Sequence, residues 1–333
     1  MSDQFILRRA TEKDYPAVKD LIFDSTNDWY QKNFKKNVFG GNSDACSIFI
    51  DVYESLDPGC CVVAEDLKTG KLAGSCFFHP RETHLALGIM NAHPDYFGMG
   101  VAKMILKEIL SIASEKKLPV RLVSSAMNLD SFSLYTKVGF VPQMTFQDMT
   151  LNVPLSGLEQ EPPEGTHSVR DATLDDVCAI ADLEFELNGI RREKDYEFFT
   201  INDSGHWGVS VFESANGKIE GFLCSVNSDG SKMLGPGVMR QAQHAESLIY
   251  HELDKRHRGN SPVFLIPVNQ GDLVKSLYGW GARNCEMHLC QVLGDCPPMN
   301  GVTMPTFMPE TCLLYTSDAA DDMQCVDLGG RRI

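Results

Sequence analysis

Apolar and polar positions along the chain follow one order of elements, and that order occurs twice. Phe5-Ile6-Leu7 reads as a strand, and residues up to 21 continue as an amphipathic helix. Arg8-Arg9-Ala10-Thr11-Glu12-Lys13-Asp14 marks the junction, with Thr11 placed as an N-cap. From there to about Tyr53, aromatic residues (Phe23, Trp29, Tyr30, Phe34, Phe39) sit among Asn, Lys and Gly, and a second helix is predicted over 48–55. Residues 60–64 read as a strand, 66–71 as a hairpin turn and 72–78 as its return. Residues 84–91 form the next strand, which Pro94 breaks. Gly98 and Gly100 then open a helix with an apolar face of Val101, Ala102, Ile105, Leu106, Ile109 and Leu110. Lys103, Lys107 and Glu108 fall on its wet side. A strand over 118–124, a short helix within 128–140 closed by Gly139, and an alternating strand over 145–153 complete the first run.

Residues 154–166, with Glu159, Glu161, Pro162, Pro163 and Gly165, form a polar linker. After it the pattern restarts. Arg170-Asp171-Ala172-Thr173-Leu174-Asp175-Asp176 repeats residues 8–14 at arginine, alanine, threonine and the final aspartate. Gly217-Lys218-Ile219-Glu220-Gly221 repeats Gly70-Lys71-Leu72-Ala73-Gly74, and Leu277-Tyr278 repeats Leu134-Tyr135. Matches in the same order point to duplication, with domains over 1–153 and 167–293, a linker over 154–166 and a tail over 294–333. The register that equates Tyr278 with Tyr135 sets Gln241 and Gln243 where Gly98 and Gly100 stand, with Gly235-Pro236-Gly237 just upstream available for a different turn.

A glycine loop feeding a helix N-terminus suits an anion, because free backbone N–H groups and the positive helix end converge there and glycine lets a ligand approach the backbone. Composition narrows the class. At 333 residues the chain is long enough for two domains, and a formal net charge of −15 argues against a nucleic-acid partner while leaning towards a cationic substrate. The eleven cysteines are scattered; Cys60 and Cys61 are adjacent, and Cys285 and Cys290 lack zinc-ligand spacing. Reduced thiols and no metal site are expected. No apolar run approaches the roughly 20 residues of a membrane span, and the N-terminus lacks a signal-peptide layout, so a cytoplasmic protein without a membrane partner is expected. Residues 312–322 (Cys-Leu-Leu-Tyr-Thr-Ser-Asp-Ala-Ala-Asp-Asp) and 326–333 resemble a translated sequencing adapter. On that reading the natural C-terminus is missing beyond about Thr311, and 312–333 is expected to be non-native and disordered.

Two motifs resemble the GNAT superfamily of acyl-CoA-dependent N-acyltransferases. The family loop, Gln/Arg-x-x-Gly-x-Gly/Ala, finds its glycines at Gly98 and Gly100, within Phe97-Gly98-Met99-Gly100-Val101-Ala102. The later segment, Asn-x-x-Ala-x-x-Leu-Tyr-x-x-x-Gly-Phe, appears as Asn128, Ser131, Leu134, Tyr135, Gly139 and Phe140. The resemblance covers 5–153 well and 168–292 more weakly, like the tandem type with a divergent second domain. It implies an α/β (α+β) fold of two GNAT-like domains, each a mixed, mostly antiparallel twisted sheet flanked by helices.

The resemblance further implies acetyl-CoA as co-substrate and no metal. Its pyrophosphate would rest on Gly98, Met99, Gly100, Val101 and Ala102, with Lys103 adding charge. Its pantetheine would pair with the edge formed by Ile89, Met90, Asn91 and Ala92. Asn128 and Phe97 complete the cofactor set. The family's usual side-chain donor is lost here: Phe97 precedes the first glycine and Asp95 lies close by, with weaker binding or a loop held down by a core-facing Phe97 as the consequences. Tyr135 stands as general acid towards the CoA thiolate, or else as a core tyrosine. The backbone N–H of Ala92 would hold the oxyanion. His84, Glu82 and Asn91 are the polar choices for a base, with His84 the titratable one. The acceptor is a small primary amine or a lysine-bearing molecule, with oligomeric state left open. The second reading is an acyl-CoA-binding sensor with little or no catalysis.

Overall fold

The structure, a computed structural model, describes residues 4–306 and 308. The first half comprises β1 (Phe5–Arg9), α1 (Tyr15–Phe34), α2 (Ser47–Leu56), β2 (Cys61–Asp66), β3 (Leu72–Pro80), β4 (Leu85–Ala92), α3 (Val101–Glu115), β5 (Val120–Ser125), α4 (Leu129–Lys137) and β6 (Val141–Thr150). The second half repeats the order. It comprises β7 (Val169–Asp171), α5 (Val177–Asn188), α6 (Glu193–Ile201), β8 (Trp207–Glu213), β9 (Ile219–Ser228), β10 (Ser231–Met239), α7 (Ala242–Arg256), β11 (Val263–Pro267), α8 (Gly271–Gly279) and β12 (Arg283–Leu293). A short β13 (Val302–Met304) follows. No helix of the described residues is long and apolar enough to cross a membrane, and no described cysteine is joined in a disulfide. The adapter-like stretch lies outside the described residues.

The repeated Arg-to-Asp segments build the same clamp in both halves. The Arg8 guanidinium donates to both oxygens of Asp14 at 2.7 and 2.8 Å and to Glu65 at 2.9 Å. Arg170 donates to Asp176 at 2.8 and 2.8 Å and to Glu213 at 2.6 Å. Each aspartate also accepts the backbone N–H of its threonine, Thr11 or Thr173, at 2.8 Å, which caps the turn leading into α1 or α5. Helix α1 runs well beyond the segment that periodicity picks out. Its buried stripe contains Ser25 and Thr26 beside Val18, Leu21, Ile22 and Trp29, and those two polar residues interrupt the apolar signal.

All strands join one sheet in the order β1-β2-β3-β4-β5-β12-β6-β11-β10-β9-β8-β7, with β13 beside β10. The halves therefore exchange their last strands. β12 inserts between β5 and β6, pairing His288 with Ser125 on one side and with Phe146 on the other. β6 in turn pairs antiparallel with β11, Thr150 opposite Val263 and Phe146 opposite Pro267. One core cluster, including Ile22, Trp29, Tyr53, Val123, Phe146, Tyr196, Phe222, Leu265 and Cys290, spans α1, α2, α5 and α6. On the opposite face α3 and α4 cover the first half, while α7 and α8 cover the second. The α/β expectation of mostly antiparallel sheet flanked by helices is met.

Arg170 holds the Asp176 carboxyl down at about 2, and Arg8 likewise holds Asp14 well below the usual carboxylate range. Both folded values are depressed, so the stabilisation is present above the unfolded value near 4 and is lost as pH falls through about 2. Since β1 and β7 are opposite edges of the sheet, Asp14→Asn and Asp176→Asn are predicted to act independently. Each should cost about 1 kcal/mol at pH 7, the partly exposed arginines being screened by water. The double variant in urea titration should show the sum within about 0.5 kcal/mol; strong coupling would contradict the placement.

Candidate functional site

Strand β4 is paired on one side and opened on the other. Against β3, Met90 opposes Cys76 and Leu87 opposes Phe78, so Gly88 and Ile89 together face Phe77 in a β-bulge. Gly88 is required by crowding: a Cβ there would lie 2.8 Å from a Tyr53 ring carbon. The Tyr53 hydroxyl accepts the Ile89 N–H at 3.3 Å. Against β5, pairing is parallel and limited to Leu85 with Val120 and Ala86 with Arg121. Beyond those residues the strands part.

His93 donates its N–H to the Ala73 carbonyl at 2.9 Å. Antiparallel alternation then turns the main-chain groups of Ala92 and Met90 away from β3, towards the gap. The edge predicted from sequence therefore needs correction. Met90 and Ala92 present it, whereas the Ile89 amide is directed to Tyr53 and the Asn91 main chain faces β3. The Asn91 carboxamide donates to Ser25 Oγ on α1 at 2.6 Å.

The loop after β4 starts with His93, whose Nδ1 accepts the Asp95 N–H at 3.1 Å, and Pro94. Tyr96 ties the loop down. It is buried, its hydroxyl donates to Asp66 Oδ2 at 3.2 Å, and its ring meets Phe5 edge-on. Phe97 is only half-buried, with the Lys32 ammonium 5.5 Å from its ring centre. The core-facing anchor is thus Tyr96 and not Phe97.

Gly98 and Gly100 both have φ of +77°, and a Cβ on either would meet nothing within 4 Å. Backbone conformation, not crowding, demands glycine here, and the space above the loop is open. Helix α3 makes its first internal bond from Met104 to Gly100 at 3.0 Å, so the amides of Val101 and Lys103 precede its ladder. Val101 and Ala102 are fully buried beneath the loop, and Lys103 is exposed beside it. An anion at this helix end gains both the first-turn amides and the helix dipole.

The second motif packs beneath. Asn128 is buried and its carboxamide oxygen accepts the Ser131 N–H at 3.1 Å, so this side chain caps α4. Tyr135 is fully buried, with Phe140 at 5.5 Å. His84 lies elsewhere. It precedes β4 at the end remote from the loop, its Nδ1 3.1 Å from Thr83 Oγ1. Eight residues of strand, about 26 Å, separate it from Ala92.

Sequence reasoning missed the groups that cover the gap from the α1 side. Tyr30 donates its hydroxyl to Glu286 Oε2 at 2.7 Å, and Ser125 donates to the other oxygen of Glu286. His288 Nδ1 lies 2.8 Å from Asp148 Oδ2, both fully buried. Glu286 and His288 arrive on β12 and Asp148 on β6, so no local pattern joins them. The available signal was Ser25 and Thr26 at core spacing on α1. A further charged group joins the halves: Arg81 forks onto Asp195 at 2.9 and 2.7 Å, and Asp57 meets His79 and Lys194. Burial opposes ionisation of Asp57, but His79, Arg81 and Lys194 together hold its carboxyl at about 2.

The second half carries the counterpart of this gap, closed. β10 has its own bulge between Leu234 and Gly237, and it pairs in parallel with β11 only at Met233 and Leu234. Beyond the bulge, Gly237, Val238 and Met239 pair with Met304, Thr303 and Val302 of β13. The glycine loop is deleted, not substituted. β10 ends at Met239 and α7 starts at Ala242, so Gln241 is its N-cap and Gln243 lies inside it. Gly235-Pro236-Gly237 forms the bulge itself, with a cis Gly235-Pro236 bond. Among the described residues no group of His, Cys, Asp and Glu is arranged to hold a metal ion.

Comparison with known proteins places this geometry. Residues 23–140 match the acetyltransferase (GNAT) family. No curated protein matches the chain. Solved structures show the same fold at low identity. A Pyrococcus horikoshii protein assigned as an acetyltransferase aligns with a TM-score of 0.69 and 16% identity, over 94% of this chain and 96% of its own. The tandem GNAT protein of the clavulanic acid biosynthesis pathway aligns with a TM-score of 0.57 and 12% identity, over 87% and 97%. Saccharomyces cerevisiae N-myristoyltransferase, solved with bound myristoyl-CoA, gives 0.59 and 13%, over 90% and 82%. The chain thus has a GNAT-like fold, and its residues 23–140 carry an acetyltransferase-type (GNAT) domain.

Proposed function

We propose that the first half binds an acyl-CoA, most simply acetyl-CoA, and transfers the acyl group to a primary amine, free or on a lysine side chain. The observation that carries this reading is the open space over Gly98 and Gly100 at the N-terminus of α3, directly after a strand whose edge has parted from its neighbour. Pyrophosphate fits the loop amides, with Lys103 as the adjacent cation. An extended pantetheine arm fits the main-chain groups of Met90 and Ala92. Ala92 adjoins the phosphate loop, so the thioester at the far end of that arm falls nearer Met90, whose N–H is the better oxyanion donor. Holding both reactants in the gap supplies much of the rate. Tyr135 is the candidate acid for the departing thiolate. The second half stands as a divergent partner domain that completes the sheet.

The burial of Tyr135 against Phe140 favours one alternative, a sensor that binds acyl-CoA without turning it over. Thiol release from acetyl-CoA, measured against putrescine, tyramine, glucosamine and lysine, separates the two: turnover with at least one amine is expected, whereas binding without turnover would favour the sensor. Gly100→Val forces a branched residue to positive φ and fills the open space. It should lower acetyl-CoA affinity more than tenfold in calorimetry while the protein remains folded, and unchanged affinity would move the site elsewhere. Tyr135→Phe should lower kcat about tenfold to a hundredfold with little change in acetyl-CoA affinity; an unaltered rate would remove it from the mechanism.

A further inference from the structure

Helix α1 roofs the gap between β4 and β5, and the surface beneath it is polar where a core is ordinarily apolar. Ser25 meets Asn91 of β4 at 2.6 Å. Five residues on, about 7.5 Å along the helix, Tyr30 meets Glu286, which also holds Ser125 at the end of β5. The helix therefore reaches β4 directly at Asn91 and β5 through Glu286 of β12, which stands on the far side of the gap from Asn91. Three oxygens under this roof, Thr26 Oγ1, Ser75 Oγ and Asn91 Oδ1, have no hydrogen-bond partner among the described residues, and all three residues are fully buried. Buried unpaired oxygens are costly, and they suit a guest that donates hydrogen bonds. Thr26 and Tyr30 also line a cavity of about 290 Å³ that continues between the segment after α1 (Val38, Phe39), α2 (Phe49) and the β9–β10 turn of the second half. An acceptor has both a polar head position and room for its body.

Resting on the acyl-transfer reading above, we infer that Glu286, delivered to the first half on the exchanged strand β12, is the general base that deprotonates the acceptor ammonium. Tyr30 and Ser125 are positioning residues that fix its carboxylate with two donated hydrogen bonds. The substrate R–NH₃⁺ gives one proton to Glu286, and the freed nitrogen lone pair attacks the thioester carbonyl carbon. As the C–N bond forms, the carbonyl electron pair moves to oxygen; its return breaks the C–S bond. The nitrogen's second proton leaves with the thiolate, through Tyr135 in the proposed mechanism, giving R–NH–acyl and CoA–SH. Glu286 returns its proton to solvent, so the sum is amide, thiol and one H⁺. The charged and titratable groups around Glu286 are Tyr30 and Lys36 from the α1 side, Asp148 on β6, and Cys285 and His288 on β12 itself.

Glu286→Gln keeps an oxygen for Tyr30 and Ser125, so folding is preserved. With the fastest amine of the panel above, its kcat should fall at least about a hundredfold at pH 7. The remaining rate should climb about tenfold per pH unit until the free amine predominates. Acetyl-CoA affinity and melting temperature should be unchanged. Trifluoroethylamine, largely neutral at pH 7, should be acetylated at similar rates by variant and wild type. Glu286→Asp should recover part of the loss, and Tyr30→Phe should cost several-fold without steepening the pH profile. A wild-type pH profile in Glu286→Gln, or an equal loss with trifluoroethylamine, would overturn the inference alone. Absence of wild-type turnover on every amine would overturn the acyl-transfer reading and this inference with it.

Discussion

A parallel strand pair that lasts for two residues governs the rest of this molecule. β4 and β5 hold together only at Leu85 with Val120 and Ala86 with Arg121. From there the bulge at Gly88 and Ile89, wedged by Tyr53, bends β4 away. An opened strand edge leaves main-chain donors and acceptors that need partners. The glycine loop and the start of α3 follow at the end of that edge, so the groups facing the gap and those facing the loop line one continuous path.

The second half shows what the same constraint produces without a loop. Its β10 and β11 also pair for two residues, and its bulge falls at the equivalent place. There the opened edge is satisfied by β13, from the chain itself. The two halves are held together by strands that each lends to the other, with β12 between β5 and β6, and β6 between β12 and β11. Removing the second half would strip β5 of its neighbour and expose the inner face of Phe146, Val123 and their partners. The exchange also carries Glu286, His288 and Asp148 to the centre of the sheet, next to the opened edge.

Local signals carried much of this into the sequence. The glycines at positive φ, the Gly139 stop and the Arg–Thr–Asp clamps are short-range features whose residue types follow from backbone geometry and capping. The repeat was legible because each clamp needs its three residues at fixed spacing. Strand exchange was not legible, since it depends on contacts between residues more than a hundred positions apart, such as Tyr30 with Glu286. The second half's missing loop was read as a substitution at Gln241 and Gln243, because equating Tyr278 with Tyr135 fixes one register and hides a shortening between β10 and α7. Phe97 looked like an anchor because it is aromatic, while Tyr96 has the hydroxyl that reaches Asp66. His84 reads as strand chemistry, but a strand has two ends, and it sits at the wrong one.

The acyl-transfer proposal requires a single acyl-CoA path per chain, along the edge left open in the first half, because β13 covers its counterpart in the second. Native mass spectrometry of the intact protein with saturating acetyl-CoA tests this by stoichiometry. One acetyl-CoA per chain, lost in Gly100→Val, is the predicted result. Two per chain, or one that survives Gly100→Val, would contradict it.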